Sequence, residues 1–286
     1  MDTLEHGRIH QIIEDALRED AGMGDVTAES TVDAQATAAA EFLCKAPGVI
    51  AGLEIAALVF RFCDPGVIFG PLVEDGAAVK HGDVVAVVRG SARGLLKAER
   101  TALNLLQRMS GIATMTRAYV EAVAGTRARI TDTRKTVPGL RVLDKAAVRA
   151  GGGVNHRFGL DDMVLIKDNH IAAAGGITEA VARCNAYLAA HALRIPMEVE
   201  TTSIEQVKEA LACTGITRIM LDNFDLAAMR EAVRIIGHRV EVEASGGITI
   251  ETVRAVAETG VDLISVGALT HSVRALDISL DFLPQV

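Results

Sequence analysis

The sequence has no tryptophan, only 2 tyrosines and only 4 cysteines in 286 residues, and its formal net charge is −8. Each shortage excludes something. Proteins that bind nucleic acid neutralise phosphates with basic surface and stack bases on aromatic rings. An acidic chain so poor in rings has little of either, so no nucleic-acid partner is expected. Cys44, Cys63, Cys184 and Cys213 are scattered, form no CxxC pair and suggest no disulfide framework. They read as reduced thiols of a cytoplasmic protein. The first residues, MDTLEHGRIHQ, are too charged for a signal peptide, and no apolar run is long enough to span a bilayer, so no membrane partner is expected. HExxH, GxSxG and Walker A patterns are all missing, and His156, His170, His238 and His271 lack zinc-ligand spacing.

What the chain does have is a half-hydrophobic composition rich in Ala and Val, which suits regular α/β layers. Its length allows one large barrel or two domains. Against the acidic background, Thr131 to His170 concentrates cations: Arg134, Lys135, Arg141, Lys145, Arg149, His156, Arg157 and Lys167, around a glycine break at Gly151 to Gly153. Arg with its planar fork and Lys as a point charge are the side chains that hold carboxylates and phosphates. A solvated basic helix is the plain alternative. The turn residues and the apolar run among the cations argue against it.

In chain order, Ile9, Ile12, Ile13, Ala16 and Leu17 predict an amphipathic helix, stopped at Gly22 and Gly24, with Asp25 and Thr27 in a loop. Residues 37 to 90 read as short strands between turns, with a helix near Leu53 to Phe62. EDGAAVKHGDVVAVV has the turn pattern of biotinyl and lipoyl carriers, but Lys80 lacks a carrier's recognition context. Ala92 to Met109 predicts a helix with Leu95, Leu103, Leu106 and Met109 on one arc and Arg93, Lys97, Arg100, Asn104 and Arg108 opposite. Spacing alone makes that second face an ordinary wet one. Gly111 reads as a break before a helix over Ile112 to Ala124.

Beyond it, strands are expected near Arg129 to Thr133, Met163 to Lys167, Ile195 to Glu200, Arg218 to Asp222, Val240 to Glu243 and Val261 to Val266. Helices separate most of them, with N-caps at Ser203, Asp225 and Thr249. Such alternation implies a closed or nearly closed parallel β/α barrel. Chemistry in these barrels sits at the C-terminal strand ends. Those ends read Arg134 and Lys135, Lys167, Glu200, Asp222, Ser245-Gly246-Gly247 and Val266-Gly267-Ala268: cations, then carboxylates, then glycine turns. The series suggests a ligand with several anionic groups, a divalent metal and a phosphate, with Glu200 and Asp222 able to share a Mg²⁺ or hold sugar hydroxyls and the glycine turns placed for the phosphate. Glu198 and Glu243 compete with Glu200 as the working acid. His156 reads as a hydrogen-bond donor to an anion, and Lys167 could instead form a Schiff base if burial lowered its pKa.

TRKTVPGLR, KAAVRAGGGVNHRFGL, LIKDNH, EVE, LDNF, EASGGI and ISVGALTHS, in this order, resemble the quinolinate phosphoribosyltransferases. LREDAGMGDVT and KAERTALNLLQRMSGIAT look like that family's N-terminal domain. The resemblance implies a type II phosphoribosyltransferase fold: an α/β sandwich over residues 1–110, an incomplete β/α barrel over 111–272, and a tail, 273–286, packed back on the first domain. It implies transfer of phosphoribosyl from 5-phosphoribosyl 1-pyrophosphate to quinolinate with decarboxylation. Arg134, Arg157 and Lys167 would hold the two carboxylates, with His156 alongside, and Thr133 would also bind substrate. Arg100 would come from the partner subunit of a homodimer, possible within a higher oligomer. Lys135 would lie between the two substrates. Glu200 and Asp222 would serve the ribose hydroxyls and Mg²⁺-pyrophosphate, and Ser245, Gly246, Gly247, Val266, Gly267 and Ala268 the 5-phosphate. Arg141, Lys145 and Arg149 would be helix-surface or interface residues. Val137 and Ala146 depart from the family pattern without removing a charged ligand. A same-fold paralogue acting on another base, and a Schiff-base enzyme using Lys167, are the alternatives.

Overall fold

The structure, a computed structural model, describes residues 3–284. Its strands are β1 Thr37–Cys44, β2 Gly48–Val49, β3 Ile68–Pro71, β4 Ala78–Val79, β5 Val84–Ser91, β6 Arg129–Thr131, β7 Val164–Ile166, β8 Met197–Thr201, β9 Arg218–Asp222, β10 Glu241–Ser245, β11 Leu263–Ser265 and β12 Ile278–Phe282. Its helices are α1 Thr3–Ala21, α2 Val26–Thr31, α3 Leu53–Cys63, α4 Ala92–Ala122, α5 Arg141–Ala150, α6 Asp168–Ala174, α7 Ile177–Ala190, α8 Ile204–Ala212, α9 Leu226–Ile236, α10 Val253–Ala257 and α11 Ala268–His271. The chain divides into two compact units. One runs to Arg117, takes Thr136–Gly152 and resumes at Ala268; the other is Ala118–Lys135 with Gly153–Gly267.

The first unit is built on an antiparallel sheet of order β12-β1-β5-β3. β1 alternates in the way a half-buried strand must, with Ala40, Phe42 and Cys44 fully buried. Phe42 meets Phe60 of α3 edge-on at 5.9 Å between ring centres. β12 returns the chain to this sheet, pairing antiparallel with β1 from Cys44–Ile278 to Ala40–Phe282; residues 285 and 286 lie outside the described residues. Asp25, expected in a loop, instead caps α2, accepting the Ala28 N–H at 2.9 Å.

Helix α4 corrects a second expectation. Gly111 does not break it; the helix runs on to Ala122. A Cβ at Gly111 would overlap the carbonyl of Arg274, so this glycine serves close packing rather than termination. Arg108 is no wet-face residue: its fork binds Asp144 of α5 at 2.9 and 2.8 Å, and Asp144 is completely buried. Lys145, expected on the surface of α5 or at an interface, is buried within the chain, while Arg149 is exposed.

The second unit carries all six strands expected after Gly111, as one parallel sheet of order β6-β11-β10-β9-β8-β7. The sheet is open, not closed, because its end strands β6 and β7 are not bonded to each other; Val154 adds a single parallel bridge to Thr131. Val199, Ile219, Leu221, Val242, Ala244 and Ile264 form the buried apolar face, where α8, α9 and α10 contact the sheet. Residues one step away face inward. Register aligns them in layers: Glu198, Arg218 and Glu241, then Glu200, Met220 and Glu243, then Asp222 and Ser245. α9 begins at its expected cap, Asp225, which accepts the Ala228 N–H at 2.8 Å. α8 is capped by Ser203, although Gln206 reaches back to Thr202. α10 starts three residues later than expected, with Thr252 rather than Thr249 at its N-cap position; a turn comes first, in which Thr252 Oγ1 accepts the Thr249 N–H and the Thr249 carbonyl accepts the N–H groups of Thr252 and Val253.

Candidate active site

The inward residues open onto a cleft of about 290 Å³ at the C-terminal ends of the parallel strands, lined entirely by the second unit. It brings together Thr133, Arg134, Lys135, His156, Arg157, Lys167, Glu200, Asp222 and Ser245 from the sequence expectation, with Glu243 of the competing acids, and adds Leu165, Met220 and Ser265. Arg100, Gly246, Gly247, Val266, Gly267 and Ala268 do not line it. Arg100 sits exposed on α4 in the first unit.

Each cation is delivered by a local device. After β6, Thr133 Oγ1 accepts the Lys135 N–H at 3.0 Å, turning Arg134 and Lys135 at the strand end. Asp132, fully buried, accepts the main-chain N–H of His156 at 2.9 Å and the side-chain amide of Asn155. That fixes the Asn155-His156-Arg157 turn against β6. Arg157 donates to the Met163 carbonyl at 3.2 Å. Lys167 follows β7 at the N-cap position of α6, where its N–H is taken by His170 Nδ1 at 3.0 Å. His170 is therefore a helix-capping residue.

The electrostatics are bipolar. Burial and the neighbouring Arg134 charge pull Arg157 below the usual arginine range, with Glu198 and Asp162 opposing, so two guanidiniums share one side of the cleft. On the other side burial lifts Glu200; Lys167 opposes, and Asp222 and Asp168 reinforce the rise. Lys167 Nζ lies 3.6 Å from Glu200 Oε2, between the two regions. One side calls for an anion and the other for hydroxyl donors or a cation.

Among the three acids left open by the sequence, Glu200 is the one with an accessible carboxylate in the cleft. Glu198 and Glu243 are fully buried. His156 Nε2 stands 3.1 Å from Glu198 Oε2 and 3.4 Å from Glu243 Oε2, and Arg218 Nη1 lies 3.0 Å from Glu243. Burial works against an imidazolium, but the two carboxylates outweigh it and push His156 up to about 9. The Arg157 N–H, 2.8 Å from His156 Nδ1, favours instead a neutral ring that accepts there. Both observations put a proton on Nε2, between the carboxylates, so the ring nitrogens serve the protein's own groups rather than the free donor expected. His156, Glu198 and Glu243 also have metal-ligand spacing, but Arg218 already compensates their charge.

The glycine turn after β10 is built with care. Gly246 and Gly247 both have left-handed φ values, +98° and +58°. A Cβ at Gly246 would overlap Asn223, and none of the described atoms would oppose one at Gly247. Asn223, itself left-handed at φ +57°, donates its N–H to the Ser245 carbonyl at 3.0 Å and its amide to Asp222 Oδ2 at 2.8 Å. Sequence reasoning missed Asp132, Arg218 and Asn223. An asparagine, the non-glycine residue that most readily takes a left-handed φ, directly after Asp222 was the one available signal for the last.

Residues 25–110 match the family described as quinolinate phosphoribosyl transferase, N-terminal domain, and residues 112–281 its C-terminal domain. A chloroplastic nicotinate-nucleotide pyrophosphorylase [carboxylating] of Oryza sativa is 48% identical over 284 residues, covering 94% of this chain and 76% of that protein. The Mycobacterium leprae nicotinate-nucleotide pyrophosphorylase [carboxylating] is 48% identical over 93% of this chain and 94% of its own. The crystal structure of NadC from Streptococcus pyogenes superposes with a TM-score of 0.91 at 41% identity, covering 96% of this chain and 97% of that one.

Proposed function

The chain belongs to the quinolinate phosphoribosyltransferase family, and on that premise we propose how its cleft performs the reaction. The activity is decarboxylating pentosyl transfer: phosphoribosyl passes from 5-phosphoribosyl 1-pyrophosphate to quinolinate, giving nicotinate mononucleotide, pyrophosphate and CO2 for NAD biosynthesis. The observation that carries the residue assignment is the bipolar cleft, with the Arg134–Arg157 pair facing Glu200 and Asp222.

Arg134 and Arg157 bind the two carboxylates of quinolinate, whose charge relieves the repulsion between them. Lys167 closes the same subsite from β7. Lys135, exposed at the strand end, stands between the acid and the pyrophosphate. Glu200 and Asp222 orient the ribose hydroxyls, and the Ser245–Gly247 turn, beside the cleft, takes the 5-phosphate through main-chain N–H groups; the Val266 N–H expected to help is already given to the Thr131 carbonyl at 2.9 Å. The two carboxylates also fit Mg²⁺, which commonly takes one or two protein carboxylates and completes its shell with water and substrate phosphate; when bound it would neutralise the departing pyrophosphate. The rest is orientation. The protein aligns the pyridine nitrogen with C1 of the ribose. The N–C1 bond forms as pyrophosphate leaves, and the ring becomes cationic. That cation accepts the electron pair released when the 2-carboxylate departs as CO2, and C2 then takes a proton. The cationic rim stabilises the two substrates together, which would otherwise repel.

Arg100 completes the acid subsite from a second copy in a homodimer, a reading supported by its exposure on α4 and its absence from the cleft lining. The four free, scattered cysteines support a cytoplasmic location, and among the described residues no helix is long and apolar enough to cross a membrane. The Schiff-base alternative is disfavoured, since Lys167 is half-exposed and paired with Glu200.

The test supplies Mg²⁺ and phosphoribosyl pyrophosphate with either quinolinate or nicotinate, scoring mononucleotide and CO2. Product is expected from quinolinate with one CO2 per turnover. Product from nicotinate alone, or from neither acid, overturns the assignment.

A further inference from the structure

Charge buried inside the parallel sheet is the feature that the mechanism above leaves unused. The inner face of such a sheet is ordinarily layered with branched apolar side chains. Here the lowest layer is Glu198, Arg218 and Glu241, in register across β8, β9 and β10. Glu198 and Glu243 have side chains that are 0% exposed, and Arg218 is 17% exposed. Buried carboxylates are costly unless cations contact them. Arg218 supplies that contact: Nη1 is 3.0 Å from Glu243 and 3.9 Å from Glu198, while Nε and Nη2 clamp Glu241 at 3.2 and 2.9 Å. Arg218 and Glu198 do not line the cleft, whereas Glu243 and His156 do.

We propose that Arg218 is a positioning residue of the subsite for the pyridine dicarboxylate, holding Glu243 and His156 in a charge-compensated cluster beneath the incoming dianion. Two arguments carry this. The first is charge. Glu243 is a carboxylate on the floor of a cleft that must accept a dianion, and Arg218 behind it, together with the proton on His156 Nε2, offsets the repulsion. The second is geometry. His156 is held from below by Glu198 and Glu243 at 3.1 and 3.4 Å, and its Nδ1 takes the main-chain N–H of Arg157 at 2.8 Å. A continuous set of contacts therefore runs from Arg218, at the N-terminal end of β9, through Glu243 and His156 to the main chain of Arg157. The inference rests on the reading of Arg134 and Arg157 as the carboxylate-binding pair.

The experiment compares the full-length wild type with Arg218→Met, Arg218→Lys, Glu243→Gln and the double variant Arg218→Met/Glu243→Gln. KM is measured separately for quinolinate and for phosphoribosyl pyrophosphate, with kcat and thermal unfolding alongside. Arg218→Met should raise the quinolinate KM at least about tenfold, as loss of one partner of a buried charge pair commonly does, and leave the pyrophosphate substrate's KM within about twofold. Arg218→Lys should keep most of the quinolinate affinity. The double variant restores the cluster's net charge, so it should bind quinolinate better than Arg218→Met alone; a packing defect would instead add to the loss. Equal rises in both KM values, or a double variant no better than the single, overturns the proposal. Should Arg218→Met not fold, the double variant decides: folding with near wild-type quinolinate KM supports charge compensation, and failure to fold or to bind counts against it. A wild type that does not use quinolinate sinks the functional assignment instead, and shows itself before any variant is compared.

Discussion

Two arginines sharing one side of a cleft raise each other's energy, and on the proposed assignment a bound anion lowers it. Arg157 is the more informative of the pair because its fork is also used on the Met163 carbonyl at 3.2 Å. Arg157→Lys keeps the charge and loses the planar fork. Its kcat/KM for quinolinate should fall tenfold or more, about 1.4 kcal/mol of transition-state stabilisation, with no large fall in melting temperature. A parallel loss of folding would mean that Arg157 is structural. Asn223 allows a finer separation. Asn223→Gly keeps the left-handed backbone and loses the amide on Asp222; Asn223→Ala loses both, so it should be the less stable of the two by about 1 kcal/mol in denaturant unfolding. Both should raise the KM for phosphoribosyl pyrophosphate if that amide aligns Asp222, and a wild-type KM in the glycine variant would refute the alignment. These residues also mark the limit of what was legible. Arg134, Lys167, Glu200 and Asp222 could be read because strand ends are fixed by apolar runs, and residue type there carries chemistry. Asp132 could not, because nothing in its spacing reveals that it accepts the N–H of a residue 24 positions on. Arg218 starts a strand, at the end where a barrel's chemistry is not sought.

At the scale of elements, the apolar runs gave six parallel strands in their observed places, but neither their order nor their register follows from such runs. Register is what stacks Glu198 beside Arg218 and Glu200 beside Met220, turning separate acids into one buried layer and one accessible carboxylate. Helix α4 shows the opposite difficulty. Gly111 looks like punctuation, yet its role depends on a segment more than 160 residues later, where the Arg274 carbonyl approaches. Gly111→Ala should gain about 1 kcal/mol of helix propensity and lose about 1–3 kcal/mol to overpacking against main chain that cannot rotate away. A net loss is expected in denaturant unfolding; a more stable variant would show that the Arg274 segment moves aside freely. Arg108 sits on the same helix. Spacing put it on the wet face, and the structure pairs it with buried Asp144, the Val137 N–H and the Thr270 carbonyl around it. Arg108→Met leaves that carboxylate uncompensated and should cost about 3–5 kcal/mol, whereas Arg93→Met, which loses only hydrogen bonds to the Val32 and Glu29 carbonyls, should cost much less.

For the whole molecule, the open sheet matters more than the number of strands. A closed barrel fills its interior with its own side chains; here β6 and β7 stay apart, and the cleft can hold charged groups that need water and ligand. The cleft lies within one unit, and the cation with which the family resemblance completes it, Arg100, is exposed on a helix of the other. If a second copy supplies that arginine, each site of a homodimer contains Arg100 from one chain and Lys167 from the other. Arg100→Ala and Lys167→Ala homodimers are then both inactive, each lacking one group at both sites. Mixing equal amounts under subunit exchange changes this, because half the dimers become mixed and each mixed dimer regains one site in which both groups are wild type, the other site having lost both. Activity should therefore recover to about a quarter of the wild-type value, as two-fold symmetry requires. Recovery should depend on exchange, being absent when the two homodimers are assayed immediately after mixing. No recovery after full exchange, shown by mixed dimers in native mass spectrometry, would place Arg100 and Lys167 in the same chain's site and refute the shared-site arrangement.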